Sequence, residues 1–294
     1  MRKKKNRLKR KEALTAYGFV LPNFIGLTVF VFVPMVYAFY VSLHQWNALS
    51  PKVFVGFDNY VQMAKDKEWW HSVYNTFIFT IIYVPLLFGL SLFFAALIHQ
   101  LKTRYESFAR TLFLLPFAIT SVISATIWMF LYDPRNGFIN QVLKLFGGHS
   151  QPFLGSTNQA LIAIIVVIIW INLGYNMMIF LASIKEIPAD YYEAARIDGA
   201  TGWKAFRFIT FPLLRGTSIF ILVVTTIGSF QVFDQIMVMT KGGPANATEV
   251  SVLYIYKQAF EFLNMGYASA LAVVLFIIIF VLSLTQLKFY TKKD

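Results

Sequence analysis

The sequence of 294 residues contains no cysteine, which excludes disulfide bonds, thiolate metal ligands and cysteine nucleophiles. Histidine is scarce as well. His44, His71, His99 and His149 lack the i, i+4 spacing of a helical metal site, so we expect no metal centre. A GxxxxGKS or GxxxxGKT loop, which cradles nucleotide phosphates, does not occur. We therefore expect no ATP binding by this chain and no catalytic residues.

Charged residues make up only 14 % of the chain, against about 25 % in soluble proteins, whereas hydrophobic residues make up 57 %. The apolar residues form long blocks, and the mean hydropathy is +0.61. Isolated strands would leave backbone groups unpaired in lipid, so the sequence predicts an all-α integral membrane protein with six transmembrane helices. Each block is at least as long as the about 20 residues that a spanning helix needs. The blocks are residues 17–43, 76–98, 111–132, 160–184, 217–240 and 267–287.

Basic residues are unevenly distributed along the chain. Eight of the 26 Lys and Arg residues lie in the first eleven residues, within a basic segment 1–16 that precedes the transmembrane domain 17–290. Segments on the side of this N terminus hold 19 Lys and Arg, and those on the opposite side hold 7. Because cytoplasmic loops are enriched in Lys and Arg, both termini are predicted to be cytoplasmic. The net charge of +12 thus reflects membrane orientation, and we expect no nucleic acid partner.

The first apolar block begins after a basic segment, as a signal peptide does. At 27 residues, and without a small-residue cleavage pattern after it, the block is too long for a signal peptide. We expect it to remain as the first span.

The one long inner loop, residues 185–216, has the pattern of two short helices joined by a glycine. Pro188 suits the first turn of a helix, and Gly199 ends it. Thr201 is placed to cap a second helix, which Pro212 ends. The pattern predicts a helix-turn-helix on the cytoplasmic side of the membrane.

Small residues and a carboxylate favour a docking surface on the first of these helices. Ala194 and Ala195 allow the backbone of another protein to approach closely. Glu193 beside them offers a partner arginine a charge-assisted hydrogen bond. A second protein is therefore expected to bind this loop.

The spacing of Glu193-Ala194-Ala195, Gly199 and Ile209-Thr210-Phe211-Pro212 resembles a known signature, Glu-Ala-Ala, three residues, Gly, nine residues, Ile-x-Leu-Pro. It belongs to the membrane-spanning permease subunits of binding-protein-dependent ABC importers. Phe211 replaces the usual Leu and keeps an apolar side chain. Further segments resemble the maltose, oligosaccharide and glycerol-phosphate branch, in which this chain is similar to the larger partner of a heterodimer: Gly56-Phe57-Asp58-Asn59-Tyr60, Asn75-Thr76, Phe233-Asp234, Met239-Thr240, Gly242-Gly243-Pro244 and Gly266-Tyr267-Ala268.

The resemblance implies that the loop carries a coupling helix seated in a cleft of a separate cytoplasmic ATPase. Glu193 would meet a basic residue there, and Gly199 would permit the turn. The implied partners are a second permease subunit, an ATPase dimer that uses ATP and Mg, an extracytoplasmic solute-binding protein and the lipid of the bacterial cytoplasmic (inner) membrane. The implied ATPase-coupling residues are Glu193, Ala194, Ala195, Asp198, Gly199, Ile209 and Pro212.

Polar side chains within the fourth and fifth spans are candidates for a solute path. Their amides and carboxylate match the hydroxyl groups of a sugar, and three aromatic residues, Trp170, Tyr175 and Phe230, are candidates for stacking on sugar rings. Spacings of three and four residues would place the polar side chains of each span on one helix face. The candidates are Asn172, Tyr175, Asn176, Gln231, Asp234 and Gln235.

An alternative interpretation of these polar residues needs no solute. Amides inside membranes join helices through hydrogen bonds of about 0.6 kcal/mol, which explains Asn172 and Asn176 equally well. Solvation at a helix end, or capping of the Gly242-Gly243 turn, would likewise account for Asp234. Prolines in or near the spans are expected to kink helices, more often for packing than for gating: Pro22, Pro34, Pro85 and Pro116.

The leading hypothesis is therefore a permease subunit of an ABC importer for a sugar or oligosaccharide. Alternatives are an importer of another solute such as glycerol phosphate, an ion-coupled secondary transporter and a membrane scaffold that transports nothing. A secondary transporter would require charged residues near the middle of the membrane and an internal repeat, and the sequence has neither. A scaffold would not need the loop signature.

Overall fold

The structure, a computed structural model, describes residues 2–291. Met1 and residues 292–294 lie outside the described residues, and with them Lys292 and Lys293, on which the predicted cytoplasmic C terminus partly depends. The chain divides into two compact units, each described by itself. One comprises Met1–Lys65 and Ile255–Val274, and the other comprises Asp66–Tyr254 and Leu275–Asp294.

The first unit begins with one long helix in three parts: α1 (Arg2–Leu27), a π-helical segment (Thr28–Phe32) and α2 (Val33–Ser42). The π-helical segment ends two residues before Pro34, whose ring and missing amide disturb α-helical hydrogen bonding. The helix therefore continues past this proline through a widened turn. Its apolar part, Thr15–Ser42, has 28 residues and forms the first span.

A short hairpin and a helix follow the first span. The amide of buried Asn59 donates to the carbonyl oxygens of Ser42 and His44, at 2.8 and 3.1 Å, and so fastens this helix to the end of the span. The remaining elements of the unit are β1 (His44–Gln45), which pairs antiparallel with β2 (Val53–Phe54), then α3 (Asp58–Lys65), a π-helical segment (Lys257–Glu261) and the first turns of α15 (Met265–Thr291).

The second unit is built around α4 (Lys67–His99) and α8 (Ala160–Lys185), which pack along each other, with α12 (Arg215–Phe230) against both. Their cytoplasmic halves, as the predicted topology has them, enclose a core of Leu92, Ala95, Ile98, Met177, Phe180, Leu181, Ile184, Leu214 and Ile221. The other helices are α5 (Thr103–Leu114), α6 (Ser121–Leu131), α7 (Phe138–Leu145), α9 (Ala189–Ile197), α10 (Trp203–Ala205), α11 (Phe211–Leu213), α13 (Asp234–Met239) and, at the boundary of the unit, α14 (Ser251–Tyr256). Shorter segments are 3₁₀ helices at Pro116–Ala118 and Phe153–Gly155 and a π-helical segment at Phe206–Thr210.

The described residues contain the six predicted spans, and the all-α membrane fold is confirmed. Five are apolar spans without a sharp bend, and the sixth is a bent pair, Thr103–Ala118 with Ser121–Leu131. The five are Thr15–Ser42, Lys67–His99, Ala160–Lys185, Arg215–Met239 and Met265–Lys288.

The third span is not the continuous helix that was predicted for residues 111–132. Its two parts meet at 97°, between Ala118 and Ser121. Pro116 starts the 3₁₀ turn at the end of the first part, and the Thr120 hydroxyl accepts the Ile123 amide at 3.5 Å to begin the second. The bend thus has a proline on one side and a new helix cap on the other.

The fifth span is also interrupted, which the prediction of one helix over 217–240 missed. Helix α12 ends at Phe230, three non-helical residues follow, and α13 begins at Asp234. Gln231 and Asp234 therefore do not belong to one helix face, and the spacing argument for this span was wrong.

A tight turn connects α6 to α7. The Asp133 carboxylate accepts the backbone N–H groups of Asn136 and Arg135, at 2.7 and 2.9 Å. These two hydrogen bonds, that of Asn136 first, hold the pKa of Asp133 below its ordinary value. The charged form of this aspartate therefore fixes the turn.

Candidate functional site

The loop between the fourth and fifth spans begins with α9, which carries the Glu-Ala-Ala segment. Gly199 has a φ of +74° and ends the helix as predicted. Its amide donates to the Arg196 carbonyl at 3.1 Å, and the Ala200 amide donates to the Ala195 carbonyl at 2.8 Å. Two hydrogen bonds of this kind around a left-handed glycine form a Schellman motif, which reverses the chain in two residues.

The second half of the loop differs from the predicted single helix. It consists of α10, a π-helical segment and α11, and the residue before α10 is Gly202, with a φ of +54°. The predicted Thr201 cap was wrong, because no side chain caps this helix and Thr201 contributes only its carbonyl, to the Lys204 amide at 3.1 Å. Pro212 lies in the first turn of α11 and does not end the preceding helix.

A hydrogen bond across the loop holds its two halves together. The Tyr192 hydroxyl lies 2.9 Å from the hydroxyl of buried Thr210. Thr210 is the variable residue of the Ile-x-Leu-Pro segment, and its neighbour Leu214 belongs to the core of α4, α8 and α12. The loop is thereby connected to the membrane helices through packed side chains.

Exposure divides the signature residues into two groups. Glu193, Ala194 and Asp198 are exposed, whereas Ala195 is buried against the chain itself. Ala194 alone of the two alanines is thus available for close approach by another protein. Gly199 and Pro212 are also exposed, and Ile209 is half-buried.

Large apolar side chains surround the exposed signature residues, and the sequence analysis did not single them out. Ile197 is 88 % exposed, Trp203 73 % and Tyr191 53 %. Trp203 stacks on Phe206, with ring centroids 5.2 Å apart. Beside this surface lies a cavity of about 490 Å³, whose lining includes His99, Glu193 and Arg196.

An ion-pair cluster joins the third span to the start of the loop. The Glu106 carboxylate on α5 pairs with Arg110 on the same helix and with Lys185 at the end of α8. Glu106 is 7 % exposed, and both cations are more accessible. One carboxylate therefore fastens α5 to the helix that leads into the loop.

Replacing Glu106 by glutamine is expected to destabilise this end of the protein by about 1–2 kcal/mol. The loss is smaller than that expected on breaking a fully buried ion pair, because both cations reach solvent. The measurement is thermal unfolding of the detergent-solubilised protein. Glu186→Gln is the control, since Glu186 adjoins Lys185 but is exposed. Equal melting temperatures for the two variants would contradict the role of the cluster.

The six polar and aromatic candidates for a solute path all line one cavity of about 350 Å³ in the second unit. Asn172, Tyr175 and Asn176 reach it from α8. Gln231, Asp234 and Gln235 reach it from the break between α12 and α13 and from the first turn of α13. These three residues do not share a helix face. The break between α12 and α13 is what brings their side chains to the same cavity.

The amide groups of the fourth span bond to their own helix. Asn172 donates to the Ile168 carbonyl and Asn176 to the Asn172 carbonyl, both at 3.0 Å. Neither asparagine joins α8 to α12 through a hydrogen bond recorded in the structure. The helix-joining interpretation is therefore not supported by the hydrogen bonds of either side chain.

Of the three proposed stacking residues, Tyr175 alone lines the cavity. It is 42 % exposed and stacks on Phe117, with ring centroids 4.9 Å apart and planes at 12°. Trp170 packs on Trp128, and Phe230 is buried edge-on against Phe77. The predicted stacking role of Trp170 and Phe230 is not supported by these positions.

The sequence analysis missed several residues of the cavity. Phe117 directly follows Pro116, and the kink predicted at Pro116 was the one sign that this segment could turn towards the cavity. Nothing in the sequence distinguished Tyr83, Thr225 or Ser229 as cavity residues. Asp234 caps no turn at Gly242-Gly243. The Gly243 amide donates to the Thr240 carbonyl instead. Among residues 2–291, no three His, Cys, Asp or Glu side chains are grouped to hold a metal ion.

Comparison with known proteins identifies the family. Residues 60–290 match the family described as "Binding-protein-dependent transport system inner membrane component". The chain belongs to this family. It is therefore an inner membrane component of such a system, and its predicted family is confirmed.

Relatives within the family are permease subunits of transporters. The probable ABC transporter permease YurN of Bacillus subtilis (strain 168) is 37 % identical, over 93 % of this chain and 95 % of its own. The trehalose/maltose permease MalF of Thermococcus litoralis is 33 % identical, over 96 % of each. The sn-glycerol-3-phosphate permease UgpA of Agrobacterium fabrum is 33 % identical, over 94 % of each. The prediction of a transport subunit that is not an enzyme is thus confirmed.

A solved structure has the same fold. A chain of a bacterial ABC transporter involved in the import of the acidic polysaccharide alginate matches with a TM-score of 0.85 at 24 % identity, covering 97 % of this chain and 99 % of that one. The fold described above is therefore also found in a solved chain of an ABC transporter.

Proposed function

We propose that the chain is a permease subunit of an ATP-driven importer and forms, with a second permease subunit, the membrane path for a sugar or oligosaccharide. The observation that carries this proposal is the cavity lined by Asn172, Tyr175, Asn176, Gln231, Asp234 and Gln235. Amides, a carboxylate and a stacked aromatic pair suit a solute that has both hydroxyl groups and apolar ring faces. Relatives named for starch degradation products, trehalose/maltose and lactose support a sugar.

The exposed face of α9 is proposed to dock in a cytoplasmic ATPase dimer, which binds the ATP and Mg. Glu193, Ala194, Asp198 and the exposed Ile197 would form the contact, and Gly199 would set the angle to the second half of the loop. Ala195 and Ile209 would shape the loop from within, and Pro212 would fix the first turn of α11. The Tyr192–Thr210 bond and Leu214 offer a route for movement to the membrane helices.

This assignment places both termini and the loop on the cytoplasmic side, in agreement with the distribution of Lys and Arg. A solute-binding protein would deliver the sugar from the other side. Support comes from a solved relative of the same fold, an alginate transporter in complex with an alginate pentasaccharide-bound periplasmic protein.

The proposed function is tested with the chain, its second permease, the ATPase and the binding protein reconstituted in proteoliposomes. Radiolabelled maltotriose and lactose serve as probes. Uptake should require ATP and should cease when the ATPase cannot hydrolyse it. Uptake that persists without ATP but is abolished by a proton uncoupler would instead indicate an ion-coupled secondary transporter.

Within this assay, Asn176→Leu and Gln231→Leu are expected to weaken the affinity for the transported probe by about tenfold each, because each removes one hydrogen-bonding group from the cavity. The measurement is the concentration of binding-protein-loaded sugar that gives half-maximal uptake. Asn158→Leu, at an exposed loop position outside the cavity, is the control. Unchanged uptake kinetics in both cavity variants would show that these side chains serve helix packing and do not bind the sugar.

A further inference from the structure

We propose that the cavity of this chain takes uncharged, polyhydroxylated solutes and disfavours anionic ones. The inference rests on the proposed function and deepens it, because the relatives do not decide the point. Some are named for neutral sugars and others for sn-glycerol-3-phosphate, and the solved relative imports an acidic polysaccharide. The charge and hydrogen-bonding character of the cavity distinguish the two classes.

Charge is the first argument. The described residues that line the cavity include no Lys, Arg or His, and Asp234 is their one charged side chain. Asp234 is exposed and forms no ion pair in the part of the chain that the structure describes. An anion in this cavity would lie beside an uncompensated negative charge, and like charges repel each other even where water partly screens them. No cationic side chain among the described lining residues offsets the repulsion.

The hydrogen-bond inventory is the second argument, and it is independent of charge. A backbone carbonyl only accepts, so a side chain bonded to one must use a donor. Asn172 and Asn176 donate to the carbonyls of Ile168 and Asn172, at 3.0 Å each. Thr225 donates to the Ile221 carbonyl at 2.6 Å, and Ser229 donates to the Thr226 carbonyl at 2.7 Å.

Thr225 and Ser229 therefore retain only acceptor lone pairs, whereas Asn172 and Asn176 each retain one N–H together with the amide oxygen. Asp234 adds a carboxylate, which also only accepts, while Gln231, Gln235 and the hydroxyl of Tyr175 offer both kinds of group. Sugar hydroxyls donate hydrogen bonds and satisfy such a surface. A phosphate dianion or a uronate carboxylate has no donor on its charged group, so buried acceptors would face acceptors. Both arguments favour the neutral solute.

The test uses the absence of cysteine from the chain. Gln231→Cys places one thiol beside Asp234 in the complex assembled with partner subunits whose own cysteines are replaced. Its rates of reaction with a cationic (trimethylammonioethyl) and an anionic (sulfonatoethyl) methanethiosulfonate are measured. Each rate is divided by the rate of the same reagent with 2-mercaptoethanol, which removes the difference in intrinsic reactivity.

The expected ratio of cationic to anionic rate is about tenfold, as for unit charges a few ångströms apart at a dielectric constant between those of protein and water. Asp234→Asn, in the same background, should bring the ratio close to one, and Asp234→Lys should invert it. A ratio near one with Asp234 present, or a ratio that Asp234→Asn leaves unchanged, would overturn the inference.

The rate measurement needs no transport, so its failure is distinct from failure of the proposed function. ATP-dependent sugar uptake without a charge bias would overturn the selectivity alone. A charge bias in a complex that takes up sugar without ATP would overturn the importer mechanism and leave the selectivity of the cavity in place.

Discussion

Replacing Gly199 by proline is expected to reduce ATP-dependent solute uptake at least tenfold while the protein still reaches the membrane. Gly199 has a φ of +74°, whereas proline is restricted to about −65°. Proline also removes the amide that donates to the Arg196 carbonyl at 3.1 Å. The chain after α9 must therefore leave in another direction, and the second half of the loop loses its position relative to Glu193 and Ala194. Uptake and ATPase activity, measured together in proteoliposomes, should become uncoupled.

Gly147 provides a matched control for this substitution. It follows α7 with a φ of +78°, its amide donates to the Lys144 carbonyl at 3.0 Å, and the next amide donates to the Leu143 carbonyl at 2.8 Å. The local geometry is thus the same, but the predicted topology places it on the opposite side of the membrane. Gly147→Pro should disturb its turn to a similar extent and leave coupling intact. Equal losses of uptake in the two variants would refute both the coupling role of the loop and the predicted orientation.

The sequence predicted the features that depend on lipid as a solvent and on local backbone chemistry. Six apolar blocks of sufficient length had no alternative to helix in a bilayer, and the structure contains them. Gly199 ended α9 where expected because a left-handed residue after a helix is a local requirement that glycine meets most readily.

What the sequence did not predict depends on contacts between helices. Hydropathy treats the third and fifth spans as continuous, because a bend or break does not change the apolar character of a block. Pro116 indicated a kink, but not a bend of 97°. The break after Phe230 has no proline at all. Threonine is a common N-cap residue, so Thr201 was predicted to cap the second helix. The N-cap of α10 is instead Gly202, which has a positive φ.

The candidate cavity shows the same division. Residue chemistry selected Asn172, Asn176, Gln231, Asp234 and Gln235 correctly as a set that lies together, although the helical spacing used for the last three was wrong. Whether a solute binds them remains a proposal. Phe117 was not predicted as a cavity residue. Its ring stacks on Tyr175 because the third span bends, and such a bend depends on contacts between helices.

Gly174 is the residue that permits this arrangement, and Gly174→Ala is expected to have the largest structural effect of the substitutions considered. A Cβ at this position on α8 would lie 2.0 Å from the Phe113 carbonyl oxygen and 2.9 Å from the Leu114 amide nitrogen. Both are backbone atoms, so α5 must move away as a whole. Overpacking of this kind costs about 1–3 kcal/mol or more.

The expected result is a lower melting temperature of the solubilised protein together with weaker affinity for the transported sugar. Gly89→Ala is the control, because a Cβ on Gly89 of α4 would meet nothing within 4 Å. Exchange of glycine for alanine inside a helix is by itself favourable by about 0.5–1 kcal/mol, so this control should be neutral or stabilising. If both variants unfold at the same temperature, the close approach at Gly174 does not support the fold.

The loss of affinity has a specific route that can be tested separately. Phe117 lies four residues after Phe113, and its ring stacks on Tyr175, next to Gly174, with centroids 4.9 Å apart. If displacement of α5 acts by moving this ring, Phe117→Ala should weaken sugar affinity to a similar extent, and the double variant should be little worse than either single one. Non-additivity of this kind is the mark of two residues that act through one contact. Additive losses would mean that Gly174 supports the cavity by another path, because Phe117 would then contribute independently of the bend.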